Sequence, residues 1–145
     1  MTQDREGAAG EDRRSSADPA GGLAIALVAD LLFASRIRGA ANAVGARALT
    51  VRTADELIER SREVAPRLIL LDLEARGVNA PALIERLKAD PELSSVPVIA
   101  FGSHVRGEAL LAARRAGADR VLARSAFVRD LPSLLRGMDA IDTES

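Results

Sequence analysis

The sequence contains no cysteine, tryptophan or tyrosine, a single histidine and three phenylalanines among 145 residues. Without cysteine there are no disulfides, thiolate metal sites or cysteine nucleophiles. One histidine leaves little scope for a zinc centre or a Ser/His catalytic arrangement. With aromatics at 2% and hydrophobic residues at 48%, the core has to be filled by Leu, Val, Ile and Ala, which suits a parallel sheet covered by Ala-rich helices. Neither sign of charge is in excess, with 20 basic residues against 21 acidic ones. The net charge of −1 gives no general attraction to nucleic acid or anionic membrane, so electrostatic arguments must be local. There is no glycine-rich phosphate loop and no nucleophile elbow, which argues against an enzyme. The first long apolar stretch, Leu23 to Ala34, is broken by Asp30 and is too short to span a bilayer. The start of the chain has no basic segment followed by an apolar run, so the expectation is a cytoplasmic protein with no membrane contact.

What is present is an alternation. Residues 1–22 are rich in Gly, Ala, Asp, Arg and Ser, end in Pro19-Ala20-Gly21-Gly22 and show no apolar period, the composition of a flexible tail. From Leu23 onward, short apolar runs alternate with helix-length amphipathic stretches, the signature of repeated βα units. LAIALVA reads as the first strand, and Phe33, Ile37, Ala41 and Val44 then recur at helical spacing until Gly45. RALTV is the second strand, and Thr53 with Glu56 forms a capping box that opens the next helix. RLILLDL is apolar on both alternating sets, as a central parallel strand buried on both faces requires. Pro81 opens the third helix and Asp90-Pro91 ends it. VPVIAF, a helix from about Gly107 to Ala116, and RVLA follow. A last helix is expected to start near Asp130, with Pro132 in its first turn and Leu131, Leu134, Leu135 and Met138 on one face. The expected fold class is α/β: a five-stranded parallel, doubly wound (βα)5 flavodoxin-like sheet of order 2-1-3-4-5. The domain spans 23–138, with a short C-terminal tail over 139–145.

In such a sheet, reactive groups gather at the carboxyl ends of the strands, where loops and helix N-termini leave polar groups facing a crevice. The strand-end residues are Asp30, Asp72, Gly102-Ser103 and Arg124-Ser125. Asp72 is either a reactive carboxylate or a capping group paired with Arg124. Asp30 suits an N-cap, a metal ligand or both. Arg124 stays protonated and cannot shuttle protons, which favours ion pairing. Ser103 offers a displaced hydroxyl, and His104 is a loop residue beside the crevice.

These residues resemble the receiver domain of bacterial response regulators over roughly residues 23–138. LILLDL places Asp72 where the family carries its phosphoacceptor, and Ala116 to Asp119 keeps the family's Ala-Gly-Ala-Asp motif. The resemblance implies phosphorelay signalling, with Asp30, Asp72 and the Glu74 backbone carbonyl as ligands of a weakly held Mg²⁺ and with Gly102, Ser103 and Arg124 as candidates for contact with the phosphoryl group. The chain departs from the family at four places. Ala29 stands for one acid of the pair after the first strand. Gly102 stands for a hydroxyl residue, Val121 for an aromatic switch residue, and Arg124-Ser125 for a lysine and proline. The expectation is therefore a stand-alone pseudo-receiver that acts by binding. Its partner would be a signalling protein, in this family a histidine kinase or phosphotransfer protein. A phosphorylation-independent scaffold with a vestigial crevice is the other reading. Seven arginines against three acids between Val105 and Arg136 give that segment a charge of +4. Arg114, Arg115, Arg120 and Arg129 form its candidate partner face, the bland alternative being a solvated surface. Nucleic acid is not the expected partner.

Overall fold

The computed structural model describes residues 22–103 and 107–144; all but the last residue of the expected tail over 1–22, together with His104, lie outside the described residues. Five strands alternate with five helices: β1 (Leu23–Leu27), α1 (Leu31–Ala43), β2 (Arg47–Val51), α2 (Ala54–Val64), β3 (Leu68–Asp72), α3 (Ala80–Ala89), β4 (Val98–Gly102), α4 (Gly107–Ala116), β5 (Arg120–Ala123) and α5 (Arg124–Glu144). All strand pairs are parallel, in the order β2-β1-β3-β4-β5. This is the expected flavodoxin-like order, with every carboxyl end on one edge.

The period-two pattern of the strands separates two cores. Ala24, Ala26, Leu68, Leu70, Ile99 and Phe101 face α1 and α5, meeting Phe33, Ile37, Phe127, Leu131 and Leu135. Ile25, Leu27, Ile69, Leu71, Val98 and Ala100 face the other way, against Leu57, Leu83, Ile84, Leu87 and Ala113 of α2, α3 and α4. Every residue of β3 and β4 is buried, which explains why their sequences are continuously apolar rather than alternating.

Local signals end the helices where the sequence places them. Thr53 Oγ1 accepts from the Glu56 N–H at 3.1 Å, and Glu56 Oε1 accepts from the Arg52 N–H at 3.0 Å. The capping box is thus present, with the glutamate reaching one residue further back than usual. Asn79 caps α3, whose first turn holds Pro81. Ala116 to Asp119 is also accounted for. Gly117 turns the chain at φ +116°, and the Asp119 carboxylate accepts from the Val98 N–H at 2.7 Å and from Lys88 Nζ at 2.6 Å. The motif fastens the start of β4 to the approach to β5, using the chain's single lysine.

One element differs from expectation. α5 begins at Arg124, directly after β5, not near Asp130, and Pro132 lies inside it. An interior proline removes a hydrogen bond and crowds the preceding turn, at about 3 kcal/mol. Against this, Phe127, Leu131, Leu134 and Leu135 are all buried on one stripe, each worth roughly 1.5–3 kcal/mol. Extending the helix back to capture Phe127 therefore wins, and Arg124 becomes its first residue. At its other end the helix continues through Glu144, past the expected domain limit at 138.

Candidate functional site: a crevice at the strand ends

The carboxyl ends of β1 and β3, with the loops beyond them, enclose a crevice of about 640 Å³ lined by Ala29, Asp30, Arg52, Thr53, Asp72, Glu74, Arg76 and Arg124. Asp72 is its buried member, at 4% exposure. Its Oδ1 accepts from the Glu74 N–H at 2.9 Å and from Arg124 Nη2 at 3.2 Å. Burial raises the carboxyl above its ordinary range, while the Glu74 N–H and the Arg124 cation pull it partly back down. The carboxylate is therefore incompletely compensated, the condition under which an acid gains from a further cation or from conversion to another group.

Asp30 is the N-cap of α1: its Oδ1 accepts from the Leu32 N–H at 2.8 Å and the Phe33 N–H at 3.2 Å. This engages one oxygen and orients the side chain at the crevice mouth. Among the described residues no group of three or more His, Asp or Glu side chains converges as a cation site. The donor set for a divalent ion is thus two carboxylates and a backbone carbonyl at most. Mg²⁺ accepts so few protein ligands because it keeps several waters.

Arg124 is held more firmly than a surface arginine. Nη2 also meets Glu74 Oε1 at 3.4 Å, and the guanidinium carbon lies 4.7 Å from the centre of the Phe33 ring and 5.6 Å from that of Phe101. Phe101 stacks on Phe127 at 4.0 Å, and Phe33 tilts against both. All three aromatic side chains of the protein therefore form one cluster beneath the arginine. Cation–π attraction and ion pairing act together on a side chain only a third exposed.

The remaining expected site residues fall differently. Gly102 is buried at the end of β4, where a Cβ would stand 3.3 Å from Leu73 Cβ, so a hydroxyl residue there requires Leu73 to yield. The Ser103 N–H donates to Glu74 Oε2 at 3.1 Å, and Ser103 lines a neighbouring cavity of about 520 Å³ with Arg124, Ser125 and Val128. Arg124 is the wall between the two cavities. Val121 is half-buried on the α2–α4 side of the sheet, so the aromatic content lies on the opposite face from the position compared with a switch residue. Arg114, Arg115, Arg120 and Arg129 are exposed. Arg129 pairs with Asp130 at 3.0 Å. Sequence reasoning missed the Glu74 side chain, which braces both Ser103 and Arg124, and the rim arginines Arg52 and Arg76. Their position within four residues of the ends of β2 and β3 was the available signal.

The fold has close counterparts among solved structures. A response regulator from Chloroflexus aurantiacus J-10-fl superposes with a TM-score of 0.73 at 17% identity, over 82% of this chain and 98% of that one. The phosphorylated cyanobacterial phytochrome response regulator RcpA gives 0.67 at 21% identity, over 85% and 92%. The Mn²⁺-bound form of response regulator Rcp1 gives 0.64 at 16%, over 82% and 92%. The fold is that of a response-regulator receiver. No family model matches the sequence, and no curated protein matches it. Among the described residues of this receiver fold, no helix is long and apolar enough to cross a membrane.

Proposed function

We propose that the protein is a receiver-like module of phosphorelay signal transduction, with Asp72 as its phosphoacceptor. The observation that carries this reading is the state of Asp72. It is buried, under-compensated and placed at the carboxyl end of the central strand, with an oxygen not engaged by the Arg124 and Glu74 contacts. Asp30, Asp72 and the Glu74 carbonyl are the residues that would hold a divalent ion, with loss of the second acid at Ala29 making the hold weak. Such an ion supplies charge neutralisation to a transferring phosphoryl group. The chain's own groups do the remaining work. Asp72 provides the nucleophilic oxygen, the Glu74 N–H fixes its orientation, and Arg124 offers donors to phosphoryl oxygens. Contact of the phosphoryl group with Gly102 or Ser103 would rest on backbone donors or a small shift of the β4 end.

The output is binding rather than catalysis. Val121 and Gly102 do not provide the aromatic and hydroxyl contacts through which a receiver distinguishes its two states, and an equilibrium shifts only by differential affinity. One mechanical link remains, because Arg124 is both the partner of Asp72 and the first residue of α5. Arg114, Arg115, Arg120 and Arg129 present a basic surface to an acidic signalling protein, a histidine kinase or phosphotransfer protein being the family's usual counterpart. The second reading, a scaffold with a vestigial crevice, draws on the same ion pair: Arg124 already satisfies part of Asp72 without any phosphoryl group.

Incubation with a small phosphodonor and Mg²⁺, followed by intact-mass analysis, separates these readings. One phosphoryl group on the native chain and none on Asp72→Asn is the expected result. A native chain left unmodified by both acetyl phosphate and phosphoramidate would favour the scaffold.

A further inference from the structure

Three acids and three arginines line the crevice, and of its acids Asp30 and Glu74 are exposed but engaged, Asp30 as the N-cap of α1 and Glu74 with Arg124 and the Ser103 N–H. Asp72 is buried and shares Arg124 with Glu74, whereas Arg52, after β2, and Arg76, in the loop after β3, are exposed and line the same space. Neither rim guanidinium forms an ion pair among the described residues. Two uncompensated cations thus stand outside a buried carboxylate, in a cavity of a size that takes small molecules. Thr53, also on the cavity wall, adds a hydroxyl whose oxygen caps α2.

We infer that Arg52 and Arg76 form a leaving-group site, which speeds transfer to Asp72 from small phosphodonors that release a carboxylate, the acyl phosphates, without impeding transfer from a phosphohistidine partner. The inference rests on the phosphoacceptor reading of Asp72 and adds the chemical class of donor. In the transfer, a carboxylate oxygen of Asp72 forms a bond to phosphorus. The bond from phosphorus to the acyl oxygen breaks, and its electron pair leaves on the new carboxylate without any proton being required. Negative charge therefore develops on the outward side of the phosphorus, away from the buried nucleophile and toward the rim. Guanidinium groups are permanently protonated and match carboxylates bidentately, so they meet that charge as it forms. A phosphoramidate differs at this one point. Its nitrogen carries its protons before the phosphorus–nitrogen bond breaks, so the electron pair leaves on neutral ammonia. The protonated imidazole of a phosphohistidine likewise leaves neutral. Neither leaving group gains from the rim arginines.

The test compares two donors, acetyl phosphate and phosphoramidate, on the full chain in the presence of Mg²⁺, with phosphorylation of Asp72 followed by intact mass. The variants are Arg52→Gln, Arg76→Gln and the double substitution. The double variant is expected to slow transfer from acetyl phosphate on the order of tenfold, less than loss of a buried oxyanion donor because the rim is screened by water. Transfer from phosphoramidate should stay within about a factor of two, and added salt should shrink the acetyl phosphate effect in the native chain alone. Equal slowing with both donors, or no slowing with either, would overturn the leaving-group assignment. A native chain that accepts phosphate from phosphoramidate but not acetyl phosphate would also overturn it, while leaving Asp72 as phosphoacceptor. A native chain that accepts from neither removes both readings.

Discussion

Two aspartates stand at opposite ends of the sheet, one where two strands begin and one where another finishes, and are treated in opposite ways. Asp119, where β4 and β5 begin, takes the Val98 N–H and Lys88 Nζ on one oxygen, while its own N–H donates to the Val98 carbonyl at 2.8 Å. Its side chain is about half exposed, 47%, so water completes its shell. Asp72, where β3 ends, has a side chain only 5% exposed and one third-exposed arginine shared with Glu74. The first carboxylate is used to fasten the fold. The second is held against the preference of the interior for uncharged groups, which is the expected mark of a residue kept for its chemistry rather than for stability.

The contrast predicts opposite signs on mutation. Asp119→Ala leaves the Val98 N–H and the Lys88 ammonium without their partner, and should lower stability by about 2 kcal/mol. Asp72→Asn removes a desolvated charge while keeping an oxygen for the Glu74 N–H, and should raise stability by roughly 1 kcal/mol in neutral buffer. Urea unfolding of the two variants beside the native chain measures both. Loss of stability in both would mean that Asp72 is as structural as Asp119.

The pH dependence sharpens the same point. Because burial raises the Asp72 carboxyl above its ordinary value of 3.8, the folded chain holds a proton that the unfolded chain has already released between those two values. Native stability therefore falls as pH rises through that window and levels off above the raised value. The advantage of Asp72→Asn should be complete above the raised value and disappear below the ordinary one. Melting temperatures of the pair across the acid range check this, and a gap that widens in acid would reverse the assigned sign.

A smaller effect probes the end of the molecule taken to be settled. Ser61 is fully buried in α2, and among the described residues its hydroxyl has no hydrogen-bond partner. It lies toward the end of the helix remote from the crevice, since α2 begins at Thr53 on the crevice wall. Ser61→Ala should stabilise by about 1 kcal/mol or less, read from the same unfolding curves. A loss instead would reveal a partner for the hydroxyl and leave Asp72 as the clearer case of an under-satisfied buried group.

Most of the fold was legible because its signals are local or periodic. Thr53 with Glu56, Pro81, and the doubly apolar run LILLD each state a backbone outcome within a few residues. The start of α5 is not legible in this way, because Pro132 is a local signal, whereas the burial of Phe127 against Phe101 is a tertiary one. The site was legible as strand-end chemistry, and so Asp30, Asp72 and Arg124 could be named together. The placement of Arg124 over Phe33 and Phe101 depends on side chains brought together from α1, β4 and α5, and no spacing in the sequence encodes that. The Glu74 side chain escaped notice for the same reason: its partners, Ser103 and Arg124, are 29 and 50 residues away.

With Asp72 as a phosphoryl acceptor, its engagement is felt first by Arg124, its ion-pair partner. Amide chemical shifts of the full chain, recorded with and without beryllofluoride and Mg²⁺, test it most directly. Shifts are expected at Asp30, from Asp72 through Arg76, and at Arg124 and Ser125, with little change in the body of α4, and no response in Asp72→Asn. An unresponsive loop from Asp72 through Arg76, or the same response in Asp72→Asn, would contradict it.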